Sequence, residues 1–216
     1  MPITERECYE MIERIEYSVT MLFSSRAFYR EYLEIINGNP RLSNGNHFLT
    51  WVANNYLYSA AMSLRRLLDR RSDTISIYKL LDALQSNNYL LTKTHYISRF
   101  ISDGSSRDLA ELSYAKITGS SHARGLNLQK LRDQLDSFSA NWERLKTYID
   151  ERIAHDARTP SQELPTIHDL DICINGAAEV MKTIIAFMTF RSIISFEPII
   201  QYPWREIFSF PWIESL

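Results

Sequence analysis

Residues 148–156 read Tyr-Ile-Asp-Glu-Arg-Ile-Ala-His-Asp and bring together an imidazole, a guanidinium and three carboxylates. An imidazole exchanges a proton near neutral pH, and a guanidinium steadies the charge that develops on a phosphorane, so the set suits phosphodiester cleavage without a metal. On a helix turning about 100° per residue, Ile149 and Ile153 face one side and His155 roughly the other, with Tyr148, Glu151 and Arg152 on the histidine's side. His155 is then the candidate general acid or base, Arg152 the candidate charge stabiliser, and Asp150 and Glu151 the groups that orient them. Arg144 and Lys146 upstream, and Arg66 and Arg70 in a basic run, are candidate contacts to RNA phosphate. A plainer reading exists for each: a solvated helix end whose Arg and His favour the negative dipole, and an Arg66–Asp69 pair along one helix.

Two His-Asp dipeptides, His155-Asp156 and His168-Asp169, with Asp171 and His122, also suggest a metal-dependent HD-type phosphohydrolase. Those ligands would have to converge, and Thr166 with Asp169 reads more simply as a helix cap, so no cofactor or metal is expected.

The elements that must position these groups are helical. Tyr9, Ile12, Ile15, Val19, Leu22 and Phe23 recur every three or four residues, which predicts a helix from a Thr4/Glu7 capping box to about Ile36, stopped by Asn37-Gly38-Asn39-Pro40. A second helix is expected from about Asn44–His47 to Leu68, and a short one over Ile77–Leu84 behind Thr74 or Ser76. Residues 85–125 read as short helical turns among Ser, Gly and Asn. Leu128, Leu131, Leu135, Phe138, Trp142, Leu145, Ile149 and Ile153 form a stripe on one long helix, and a last helix covers about Ile167–Ser192.

The tail from Ile193 is different in kind. Pro198, Pro203 and Pro211 interrupt it, and Phe196, Tyr202, Trp204, Phe208, Phe210 and Trp212 make it costly to leave in water, so it packs on the bundle or on a partner. The expected fold class is all-α, an antiparallel bundle of long helices with an aromatic and proline-rich C-terminal tail, in one domain over 1–216.

With 6 glycines and 7 prolines in 216 residues, helix breakers are few, and an apolar share of 45% supplies one large core. A net charge of −2 gives no global attraction to nucleic acid, so RNA contact has to be local. Cys8 and Cys173 lack metal or disulfide spacing and read as buried free thiols. No signal-peptide core or membrane-length apolar run is evident, so a cytoplasmic protein without membrane contact is expected.

The run Ala61-Met62-Ser63-Leu64-Arg65-Arg66-Leu67-Leu68-Asp69-Arg70-Arg71, followed by Asp73-Thr74-Ile75-Ser76-Ile77 and Leu80-Leu81, together with residues 148–156, resembles the AbiU-like abortive-infection branch of the HEPN superfamily. The resemblance implies a bundle of four or more helices, a homodimer in which motif helices share a cleft, and, in active members, metal-independent endoribonuclease chemistry. It also implies a toxin or defence role, with a cognate antitoxin or other protein partner. That family's motif is an arginine, four to six residues, then a histidine. His155 matches the histidine and Asp150 the polar residue after the arginine, whereas Ile149 stands where the arginine is expected. Isoleucine can neither donate a hydrogen bond nor steady an anion. Two readings follow: Arg152 substitutes from the adjacent turn, or the chain is a catalytically degenerate HEPN module that dimerises or binds a partner.

Overall fold

The computed structural model describes residues 3–39, 47–71, 73–153, 158–159 and 161–208. Among these the chain is all helical, with no strand and one isolated antiparallel bridge between Thr92 and Gly125. The first helix, α1 (Glu5–Asn37), starts at the expected capping box: the Thr4 side chain accepts from the Glu7 amide at 3.3 Å, and the Glu7 carboxylate accepts from the Thr4 amide at 2.7 Å. Next come α2 (His47–Leu67) and α3 (Ile77–Ser86), the latter capped by Ser76. The middle region resolves into a 3₁₀ turn (Asn88–Leu91), α4 (Lys93–Ser102) and α5 (Arg107–Thr118), with Gly119 closing α5 at φ 79°. That left-handed backbone suits glycine.

The expected long helix over Leu128–Ile153 is in fact three pieces: α6 (Leu128–Asp136), α7 (Ser139–Tyr148) and a π turn (Ile149–Ile153). The apolar stripe is right as far as Ile149, since Leu128, Leu131, Leu135, Phe138, Trp142, Leu145 and Ile149 are all buried, whereas Ile153 is only partly buried. The break at Phe138 has a packing cause. A Cβ placed on Gly176 would lie 2.3 Å from the Phe138 ring, so the ring rests on bare helix backbone that no other residue would leave open.

The last helix, α8 (Ile167–Thr189), packs against α1, α2, α5, α6 and α7 and is buried on most of its circumference. Its length and hydropathy would suffice to cross a membrane, yet its apolar residues, from Leu170 to Met188, form the centre of the bundle. Its polar residues Asp171, Asn175, Glu179 and Lys182 fall on one stripe, and the wide apolar face opposite belongs in such a core, where each large side chain contributes about 1.5–3 kcal/mol. It ends three residues before the expected Ser192. Phe190 takes φ 59°, and its ring meets Tyr96 and Phe100 at 5.2 and 4.9 Å.

The described part of the tail, to residue 208, lies along α1. Phe196 meets Phe23 with centroids 5.6 Å apart, and Trp204 sits edge-on to Phe28 at 5.2 Å. Cys8 and Cys173 are free and buried, and burial pushes the Cys173 thiol up to about 12. Neither is a thiolate available for chemistry.

Candidate functional site

The motif segment begins as regular helix and ends as a π turn. The wider winding over Ile149–Ile153 changes which side chains share a face, and such turns recur at functional sites. Ile149 is 0% exposed and belongs to the main core, continuing the seam of Trp142 and Leu145. Asp150 turns outward to Arg65 of α2, with Oδ1 2.7 Å from the guanidinium, and the Lys146 ammonium stands 4.0 Å from its other oxygen. Glu151 and Arg152 both reach the loop before α8. The Glu151 carboxylate accepts from the Ser161 amide at 2.6 Å, and Arg152 donates to the Ser161 carbonyl at 2.9 Å. An adjacent acid and base thus clamp both backbone polar groups of one residue, Ser161.

Beside the clamp lies a cleft of about 480 Å³, walled by Tyr58 of α2, Tyr148 of α7, Glu151 and Arg152, with Leu164 and Ile167 at its rim. Burial, and then the neighbouring Tyr58 hydroxyl, push the Tyr148 phenol above its ordinary value, so it stays a neutral donor. The arrangement offers one exposed guanidinium and two phenols on an apolar floor, a set able to bind an anion or the edge of a planar ring. The sequence reading missed Tyr58. The available signal was an aromatic off the apolar face of α2, next to the buried Ala60 and Ala61.

His155, the candidate general acid or base, and Asp156 lie outside the described residues. The four candidate RNA contacts do not form one surface with the cleft. Arg144 is engaged with Asp169 and stands 3.9 Å from Glu163, and Lys146 lies 3.9 Å from Glu143. Arg70 stacks on Tyr78 at 4.3 Å, donates to its hydroxyl at 3.0 Å and reaches Asp136 at 3.3 Å. Arg66 has no side-chain partner among the described residues and lines a separate groove with Arg14, Tyr17 and Met21.

Two of the carboxylates that suggested metal binding, Asp169 and Asp171, have other work. Asp169 completes a capping box with Thr166 and accepts from Asn141 at 2.6 Å. Burial works to raise its pKa, but the bonds from Arg144, Thr166 and Asn141 outweigh burial and hold the carboxyl far below the usual range. Asp171 is taken by Arg26 and Arg30. Among the described residues no three His, Cys, Asp or Glu side chains are placed to hold a metal ion.

The model of the HEPN AbiU2 family matches residues 9–188. The chain belongs to that family. No curated protein and no solved structure matches it. The AbiU2 match runs from the second turn of α1 to the penultimate residue of α8, so it takes in the whole bundle and both walls of the cleft. The tail along α1 lies beyond it. This places the chain among HEPN proteins of the abortive-infection type, and its all-α bundle agrees with the fold the sequence suggests.

Proposed function

We propose that this chain is a HEPN defence module that acts by binding, as a homodimer or on a partner protein, and that it does not cleave RNA by the arginine–histidine chemistry of active HEPN proteins. The observation that carries this reading is Ile149. It stands where the motif arginine is expected, and its side chain is 0% exposed within the core. An arginine function cannot be supplied from a position that faces the packed seam. The neighbouring charges support the same reading, because Asp150 is spent on Arg65, and Glu151 and Arg152 on Ser161. These contacts set the shape of the cleft wall and leave its floor apolar.

A second reading rests on a specific observation: Arg152 lines the cleft together with Tyr58 and Tyr148. In that reading the chain is a weakened metal-independent endoribonuclease, a toxin in a toxin–antitoxin pair. His155 is its general acid or base, Arg152 replaces the motif arginine, and the charge that develops on phosphate falls beside the phenols.

One assay separates the two. Purified chain and its His155→Ala and Arg152→Ala variants are incubated with single-stranded RNA in EDTA. The binding reading expects all three to leave the RNA equally intact. Cleavage by the parent that both substitutions abolish would overturn it in favour of the ribonuclease.

A further inference from the structure

We propose that the face of α1 beneath the tail is a docking site for an acidic-aromatic peptide segment of another protein, and that residues 193–208 form a strap that occupies this site as a displaceable stand-in. The floor of the site is built from Arg26, which is 3% exposed although charged. Its guanidinium lies 4.2 Å over the Phe23 ring and donates to Asn175 at 2.8 Å, to Asp171 at 3.3 Å and to Glu197 of the strap at 2.7 Å. Its Nε is buried with no acceptor. An arginine fork takes a carboxylate best through two parallel bonds, and Glu197 supplies one, so the site has a donor to spare for a better-seated acid. Arg30, bonded to Asp171 at 2.9 Å and 4.0 Å from Glu197, adds a second positive charge.

The strap reads this floor with two dipeptides. Phe196-Glu197 places its ring against Phe23 and its acid on Arg26. Further on, Trp204-Arg205 sets the indole against Phe28, with its Nε1 donating to Glu31 at 2.8 Å, and Arg205 donates to Glu31 at 2.8 Å and to Glu34 at 3.0 Å. Positive charge at Arg26 and Arg30 followed by negative charge at Glu31 and Glu34 excludes RNA, whose backbone carries one sign throughout. A peptide with an aromatic-acidic pair ahead of an aromatic-basic pair fits both halves.

The strap is held so that it can leave. Among the described residues no backbone hydrogen bond joins it to the bundle, and its ion pairs at Arg30 and Arg205 are half-exposed, where each contributes little, leaving Arg26–Glu197 as the pair with one buried partner. Ile194 and Ile199 remain 91% and 85% exposed, so much of the strap's apolar surface gains nothing from lying where it does. The AbiU2 match also stops at residue 188, short of the strap, whereas every element of the floor lies within it.

The test uses the full chain and a released form carrying Phe196→Ala, Glu197→Ala and Trp204→Ala, with a fluorescein-labelled synthetic peptide of residues 193–208 as probe and anisotropy as readout. The released form binds the peptide. The parent binds it about 100-fold more weakly, as expected if its own strap competes at an effective concentration of about 1 mM against a Kd of about 10 µM. Peptide with glutamine at the Glu197 position, and released chain with Arg30→Glu, each lose at least about tenfold. Three results overturn the proposal. The released chain loses its helical circular dichroism, making the strap part of the fold; it stays folded and does not bind the peptide; or parent and released forms bind equally. Strap exchange between copies, seen as a dimer of the parent that the released form does not make, would also overturn it, since the occupant would then be this chain itself.

Discussion

Replacing Ile149 with arginine asks whether the motif position faces the core or the cleft. The side chain is 0% exposed, so the substitution forfeits about 1.5–3 kcal/mol of burial and places a guanidinium in a seam bounded by Trp142 and Leu145. The nearest carboxylate in sequence, Asp150, is already held by Arg65 at 2.7 Å. A buried unpaired charge costs about 3–5 kcal/mol, and the long arginine stem recovers part of this by carrying its head toward the surface. The expected net loss is about 3–5 kcal/mol, which for a chain of this size lowers the melting temperature by roughly 6–20 °C. Ile149→Met keeps the volume and should cost less than about 1.5 kcal/mol. Urea and thermal unfolding followed at 222 nm measure both. If Ile149→Arg stays within about 1 kcal/mol of the parent, the position is not packed as described, and the argument for a binding module loses its footing. Should that variant also begin to cleave RNA in EDTA, Ile149 is a cleft residue that had lost its chemistry.

Two further substitutions probe what shapes the site. Gly176→Ala puts a methyl 2.3 Å from the Phe138 ring and should cost about 1–3 kcal/mol by thermal unfolding; in combination with Phe138→Leu most of that loss should disappear, and simple additivity of the two would refute the contact. Asp169 has its folded-state pKa depressed below the ordinary 3.8, so its contribution is present above that pH and fades as the pH falls through and below it. Stability measured from pH 6 to pH 2.5 should therefore drop more steeply in the parent than in Asp169→Asn, and parallel acid limbs would remove Asp169 from the account.

The helices were legible wherever the pattern was local. The capping boxes of Thr4 with Glu7 and Thr166 with Asp169 set the starts of α1 and α8, because a cap involves residues three apart and nothing distant overrides it. The long helix over 128–153 was half right for the opposite reason. Periodicity reports which residues are buried, and it was correct for the stripe as far as Ile149, with Ile153 only partly buried, but it cannot report that a ring at Phe138 meets a glycine on another helix. Nor could periodicity find the π turn, since one extra residue in a turn leaves Ile149 on the apolar side and changes the facing only of the few residues after it. The tail's aromatics announced burial without naming the surface. The surface depended on Arg26, which looked like one more charge on α1 and proved to be buried among groups from α8 and the tail.

The charged residues of the motif illustrate why spacing alone could not decide function. A carboxylate and a guanidinium side by side can position a proton and a phosphate, or they can hold the amide and the carbonyl of one residue, and Glu151 and Arg152 do the second with Ser161. Each bond spent on the loop restricts the side chain that would have to follow a reacting oxygen through its change of charge. Arg152 is nonetheless exposed and lines the cleft, and with one nitrogen given to Ser161 it keeps further N–H donors for an anion that enters. A phosphate bound there would share the guanidinium with the Ser161 carbonyl, and so would draw on the side chain that holds the loop from Ser161 to Thr166. Binding at this site and the order of that loop are therefore linked.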